Sequence, residues 1–76
     1  MPQDFTLEHL RQSCVELMQM AGTKPFWALD TPTRKLAVDG LMHIYMHTPL
    51  TKEATSAFSI AIDDYTRRAE LLNKEI

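Results

Sequence analysis

The sequence has few of the residues on which small disulfide-bonded or phosphate-binding domains depend. Its 76 residues include one cysteine, Cys14, so an intrachain disulfide is excluded. Only two glycines are present, Gly22 and Gly40, and they form no glycine-rich phosphate loop. One free cysteine and five methionines fit a reducing compartment, and we therefore expect a cytoplasmic protein.

The sequence also has no excess of basic charge and no long hydrophobic run. Eight Lys and Arg against ten Asp and Glu give a formal net charge of −2. Domains that bind nucleic acid usually carry a clear basic excess, because phosphate contacts supply most of the affinity. No run approaches the roughly 18 apolar residues of a membrane span. Residues 1–4 show no basic region followed by an apolar stretch, so we expect no leader peptide. Nucleic acid and membranes are therefore not the expected partners.

Apolar residues do recur at helical spacing, in three blocks separated by helix-breaking residues. This periodicity predicts helices over about 7–21, 32–47 and 51–74. No segment alternates with period two, so no strand is predicted. The sequence thus predicts one all-α domain, residues 1–76, folded as a small antiparallel three-helix bundle with a short helical turn between helices 1 and 2.

Particular residues mark the helix ends. Thr6, Thr31 and either Thr48 or Thr51 are predicted N-caps, because a hydroxyl can accept from the free N–H groups of a first turn. Gly22 is predicted to end the first helix in the left-handed conformation that glycine adopts readily.

The connection between the first two helices is rich in large apolar residues. Pro25 suits the first position of a helical turn, and Phe26, Trp27 and Leu29 follow it. Two interpretations remain open at this stage. Either these side chains close one end of the core, or Trp27 stays partly exposed and anchors a partner, since Trp is enriched among interface hot spots.

The second helix has an unusually wide apolar face. Its polar face is limited to Arg34, Lys35, Asp39, His43 and His47. Such a helix either lies between both neighbours or also faces another molecule. Gly40 lowers its stability by about 1 kcal/mol relative to Ala, and a common reason for such a glycine is the close approach of another backbone.

Two histidines form the best candidate for a metal site. His43 and His47 are spaced i,i+4, so both imidazoles project from one helix face, with Asp39 as a third ligand one turn earlier. The segment lacks the Glu that zinc peptidases use as a base, and no cysteine pair completes the site. We predict no metal and no cofactor, and keep His43 and His47 as weak candidates.

No catalytic group is predicted either. Cys14 falls on the apolar seam of the first helix, where a thiol behaves as a small hydrophobe. The acidic residues of the last helix are each followed four residues later by a basic one, which is typical of a solvated surface. These pairs are Asp63–Arg67, Asp64–Arg68 and Glu70–Lys74. We expect that the protein is not an enzyme.

The favoured function is a small non-enzymatic protein-interaction module, a regulator, adaptor or inhibitor of phage, mobile-element or cellular origin. It would bind another protein and, as a further expectation, itself as a homodimer. An apolar surface larger than a monomer needs, without catalytic groups, motivates this hypothesis. The predicted partner-binding residues are Phe26, Trp27, Met42, Tyr45 and Met46.

Two alternatives are kept. The first is a small DNA- or RNA-binding regulator that pools basic residues across a dimer. Those residues would be Arg34, Lys35, Arg67 and Arg68. The second is a metal-binding protein that uses His43 and His47.

Overall fold

The computed structural model describes the backbone of residues 5–74 and the side chains of residues 5–72. Within that range the helices are α1 (Leu7–Ala21), α2 (Lys24–Trp27), α3 (Thr31–Met46) and α4 (Lys52–Lys74). The predicted all-α bundle with one short helical turn is confirmed, and the three long helices begin and end within one residue of the predicted positions. Residues 1–4, on which the expectation of no leader peptide depends, lie outside the described residues.

Threonine hydroxyls cap two of the long helices. Thr6 accepts a hydrogen bond from a backbone N–H of the first turn of α1 at 3.2 Å. Thr51 accepts one from the N–H of Ala54 at 3.1 Å. The Thr48 hydroxyl instead donates to the carbonyl of Ile44 at 2.7 Å. Of the two candidates for the cap of α4, Thr51 is therefore the one that forms it.

Two helix ends differ from the prediction. α3 begins at Thr31, one residue early, after the extended residue Asp30. Thr31 is therefore the first helical residue, and Asp30 rather than Thr31 occupies the N-cap position. The Thr31 hydroxyl instead accepts a hydrogen bond from the guanidinium of Arg34 at 3.2 Å. Gly22 ends α1, but with φ −84° and ψ 0° rather than in the left-handed conformation. The left-handed residue is not needed because the chain enters α2 two residues later.

The central helix is α1, not α3. α1 packs most extensively against α4, then against α3, and it also contacts α2, whereas α3 and α4 touch each other much less. The N–H of Phe5, just before α1, donates to the carbonyl of His47, just after α3, at 2.9 Å. α1 and α3 are therefore antiparallel. Since α3 is not the middle helix, two neighbours within the chain do not account for its wide apolar face.

The core that results is small. Its buried members are Leu10, Cys14, Leu17, Ala21, Phe26, Leu41, Ala54 and Ala61. Half of them come from α1 and only Leu41 comes from α3. Large apolar side chains that stay exposed within the described residues include Val15, Met20, Leu29, Leu36, Met42, Met46, Leu50, Ile60 and Leu71. The described chain leaves at least as many large apolar side chains on its surface as it buries.

Gly40 lies on the exposed side of α3. A Cβ placed on this glycine would meet no atom within 4 Å. The close approach of another backbone that the sequence suggested is therefore not found among the described residues.

Candidate protein-binding surfaces

Trp27 lies at the end of the bundle that α2 closes, and three helices set its position. Its Nε1 donates to the carbonyl of Ala21 at 2.7 Å, which satisfies a free acceptor at the end of α1. Its ring packs on Tyr65 of α4, with centroids 5.5 Å apart. The guanidinium of Arg34 in α3 lies over the same ring at 5.2 Å, in cation–π geometry. The indole is only half-buried, so one part of it faces solvent.

Phe26 is buried and packs against the rings of Trp27 and Tyr65. It is 6% exposed, and its ring meets Trp27 and Tyr65 edge-on at 5.1 and 6.2 Å. Of the two interpretations of this segment, core closure describes Phe26. Trp27 fits both, because it packs on the core and keeps an accessible surface.

Two of the basic residues of the nucleic-acid alternative are engaged within the fold. Arg34 donates to the carbonyls of Leu29 and Trp27, the latter at 3.3 Å. Arg68 donates to the carboxylate of Asp64 at 3.0 Å. Guanidinium groups held in this way are less available to phosphates.

Of the three ion pairs predicted for α4, only Asp64–Arg68 forms within the described residues. Asp63 and Arg67 are not paired, and the side chain of Lys74 lies outside the described residues.

An open cleft of about 490 Å³ adjoins Trp27. It arises because α4 is longer than α1. Arg68 reaches the carbonyl of Ala21, the last residue of α1, at 3.5 Å, so the later turns of α4 continue past α1. Those turns face α2 and leave a gap. Its lining includes the apolar side chains of Trp27, Ala28, Leu71 and Leu72 and the cations Lys24 and Arg68. We call this gap the Trp27 cleft.

The other predicted residues lie towards the opposite end of α3. The ring of Tyr45 stacks on Phe58 of α4, with centroids 4.1 Å apart and an interplanar angle of 6°. Tyr45 thus helps to join α3 to α4. Met42 and Met46 are 41% and 71% exposed, and Leu36 on the same helix is 69% exposed. The structure therefore divides the five predicted residues into two groups that do not form one site.

The histidine pair is close but does not extend to a larger ligand set. The rings of His43 and His47 have centroids 4.4 Å apart, and Nδ1 of His47 lies 2.9 Å from the carbonyl oxygen of His43. Phe5 meets both His9 and His43 edge-on, at 6.2 and 6.1 Å. Among the residues that the structure describes, no group of three or more His, Cys, Asp or Glu side chains is placed to hold a metal ion.

Sequence reasoning missed the role of Phe5. A signal was available, because an apolar residue directly before an N-cap such as Thr6 often packs against its neighbours and fixes the entry of the chain.

Cys14 is a buried thiol. It is 2% exposed, and burial raises its pKa by disfavouring the thiolate. A raised pKa opposes nucleophilic chemistry, because the thiolate is the reactive form.

The described helices include none with both the length and the apolar character needed to cross a bilayer. Comparison with protein-family models, with curated proteins and with solved structures found no match to this chain.

Proposed function

We propose that this chain is a small non-enzymatic interaction module, a regulator, adaptor or inhibitor, that binds another protein through the Trp27 cleft. The observation that carries the proposal is the half-buried indole in the lining of an open, largely apolar gap. Interface hot spots combine an aromatic anchor with neighbouring apolar contacts that exclude water. Trp27, Leu71 and Leu72 supply such a set.

The Trp27 indole is held in place before any partner binds. The Nε1–Ala21 hydrogen bond and the Tyr65 and Arg34 contacts hold the indole in one orientation. Binding of a partner therefore costs little free energy for ordering this side chain. This preorganisation favours a binding role for Trp27 over the alternative that its ring is exposed without a function.

The charged residues of the cleft indicate the chemistry of the partner. Asp64 already neutralises Arg68, whereas Lys24 has no hydrogen-bonding or ion-pairing side chain among the described residues. An apolar side chain with a neighbouring carboxylate would fill the gap and pair with Lys24. The partner segment that fits best is therefore apolar and acidic.

α4 offers a matched pair of variants that tests the proposal. Leu71 and Ile60 lie eleven residues apart on nearly the same side of α4 and are 55% and 60% exposed, but only Leu71 lines the Trp27 cleft. We expect proteins from the native host to be retained by the wild type and by Ile60→Glu, and lost from Leu71→Glu. Equal retention by all three forms, or retention by none, would contradict the proposal.

Trp27 also provides a direct signal, because it is the only tryptophan of the chain. Adding the retained protein should change the emission of Trp27 in the wild type and in Ile60→Glu. Lys24→Glu should raise the Kd of this titration by about fivefold or less, since an exposed ion pair contributes up to roughly 1 kcal/mol. Binding that leaves the emission unchanged would place the contact elsewhere.

A further inference from the structure

The outward face of α3 is a second exposed surface, distinct from the Trp27 cleft, with apolar residues at its ends and polar residues between them. Leu36 and Met46 are the two most exposed large apolar side chains of the helix, at 69% and 71%. Asp39 and His43 lie between them and are also exposed. The four residues are spaced three, four and three, which is the spacing of the contact seam of a paired helix. We call Leu36, Asp39, His43 and Met46 the α3 seam.

We propose that the α3 seam pairs with the α3 seam of a second copy of this chain, antiparallel and about a two-fold axis. In this register Leu36 of one copy packs against Met46 of the other, and Asp39 packs against His43. The two-fold axis repeats each contact, as an isologous interface requires. This inference goes beyond the proposed function and does not depend on the Trp27 cleft.

The residues of the seam explain why the partner is a second copy. Each member has a complement within the same seam: an apolar residue at each end, and an acid and an imidazole at the centre. Asp39 makes no hydrogen bond or ion pair with any side chain of the described residues, and the ion pair that its spacing from Lys35 suggests is not formed. Its carboxylate is free to accept a hydrogen bond from the imidazole of the other copy.

Charge also selects the direction of pairing. In a parallel pair, Asp39 would face Asp39 of the other copy, and like charges at a seam position repel. The antiparallel pair replaces this contact with two Asp39–His43 contacts. Phe5 and His47 contact the His43 ring and limit its movement, which keeps it on this face.

The contact between the two α3 seams is small, so we expect the dimer to be weak. One helix face from each copy contributes four residues, which places the dimer among weak, concentration-dependent interfaces. Sedimentation velocity should show a monomer at low micromolar concentration and an increasing dimer fraction as the concentration rises. A strict monomer at every concentration up to millimolar would overturn the proposal.

Charge and apolar variants test the composition of the seam. Met46→Glu should raise the dimer Kd at least about tenfold, whereas Ile60→Glu, an exposed change on α4, should leave it unchanged. Asp39→Lys should also weaken the dimer. The double variant Asp39→His with His43→Asp, which exchanges the two residues and keeps their pairing, should form a dimer as strong as that of the wild type. A dimer that survives Met46→Glu, or one that Ile60→Glu dissociates equally, would overturn the proposal.

Cysteine pairs test the register directly. Residues 36 and 46 are ten residues apart, about 15 Å along the helix, which exceeds the reach of about 7 Å between the Cα atoms of a disulfide. A mixture of Leu36→Cys and Met46→Cys chains should therefore form mixed disulfides in preference to disulfides between identical chains. The native Cys14 is buried and should not compete. Disulfides chiefly between identical chains would overturn the antiparallel register.

The two proposals fail separately. Leu71→Glu should abolish partner retention and leave the dimer intact. Met46→Glu should weaken the dimer and leave partner retention unchanged. Loss of both properties in both variants would overturn the independence of the α3 seam from the cleft.

Discussion

α1 and α3 are helices of nearly equal length, both with apolar residues at helical spacing, but they use those residues differently. α1 buries Leu10, Cys14, Leu17 and Ala21 almost completely. α3 buries Leu41 alone and leaves several large side chains in solvent. The difference lies in their neighbours, since α1 contacts every other helix and α3 packs mainly against α1.

The comparison shows that apolar width and central position are separate properties. The narrower seam of α1 is enclosed, and the wider face of α3 is not. Of the two explanations that the sequence offered for α3, the central position is wrong. The other explanation, contact with another molecule, stays a prediction and motivates the proposal of the α3 seam.

The largest expected difference between the two helices is in stability. Leu17→Ala in α1 removes a side chain that is 2% exposed, and we expect it to lower the free energy of unfolding by about 3 kcal/mol. Met46→Ala in α3 should change it by less than about 0.5 kcal/mol. Urea denaturation followed by far-ultraviolet circular dichroism measures both. Equal losses in the two variants would mean that Met46 belongs to the core.

The next difference appears at alkaline pH. Burial raises the pKa of Cys14, so the folded state keeps its proton when the unfolded chain loses it. Below the ordinary thiol pKa of 9.0, the thiol is protonated in both states and its contribution to folding stability is complete. Above that pH, the contribution falls by up to about 1.4 kcal/mol per pH unit. Cys14→Ala should be less stable near neutral pH but lack this slope, so its deficit should shrink with increasing pH. A constant deficit would contradict the account.

A smaller change is expected in α3, where a substitution should raise the free energy of unfolding instead of lowering it. Gly40→Ala should stabilise the monomer by up to about 1 kcal/mol, because a Cβ there meets no atom within 4 Å. Gly22→Ala provides the control, since its Cβ would lie 3.4 Å from the carbonyl oxygen of Gln19 and the gain should be smaller. Thermal unfolding in dilute solution checks both. Destabilisation by Gly40→Ala would show that the outward face of α3 is occupied even in the monomer.

Most of the fold could be predicted because its signals are local. Periodicity gives the helices, and threonine and proline mark most of their ends. Thr31 was misassigned as a cap because α3 begins one residue earlier than predicted, with Asp30 at the N-cap position. Periodicity does not fix a helix end to the residue. Gly22 was assigned the left-handed conformation because sequence does not show how directly the chain enters α2.

The candidate sites could be predicted only in part. Trp27 was recognised from its residue type, but Leu71 and Leu72 join it because α4 runs past the end of α1, which depends on how the helices align. Phe26 and Tyr45 were grouped with Trp27 and Met46 although they pack chiefly inside the fold. The sequence of α3 shows that its apolar face is wide, but it does not show which part of that face the neighbouring helices cover.

The central claim is that the outward face of α3 is not consumed by the core of its own chain. Peroxide oxidation of the methionines, measured residue by residue in dilute solution, tests it most directly, because exposed thioethers oxidise fastest. We expect Met46 to react nearly as fast as in the unfolded chain, Met42 more slowly, and the half-buried Met18 slowest. Protection of Met46 equal to that of Met18 would contradict the claim.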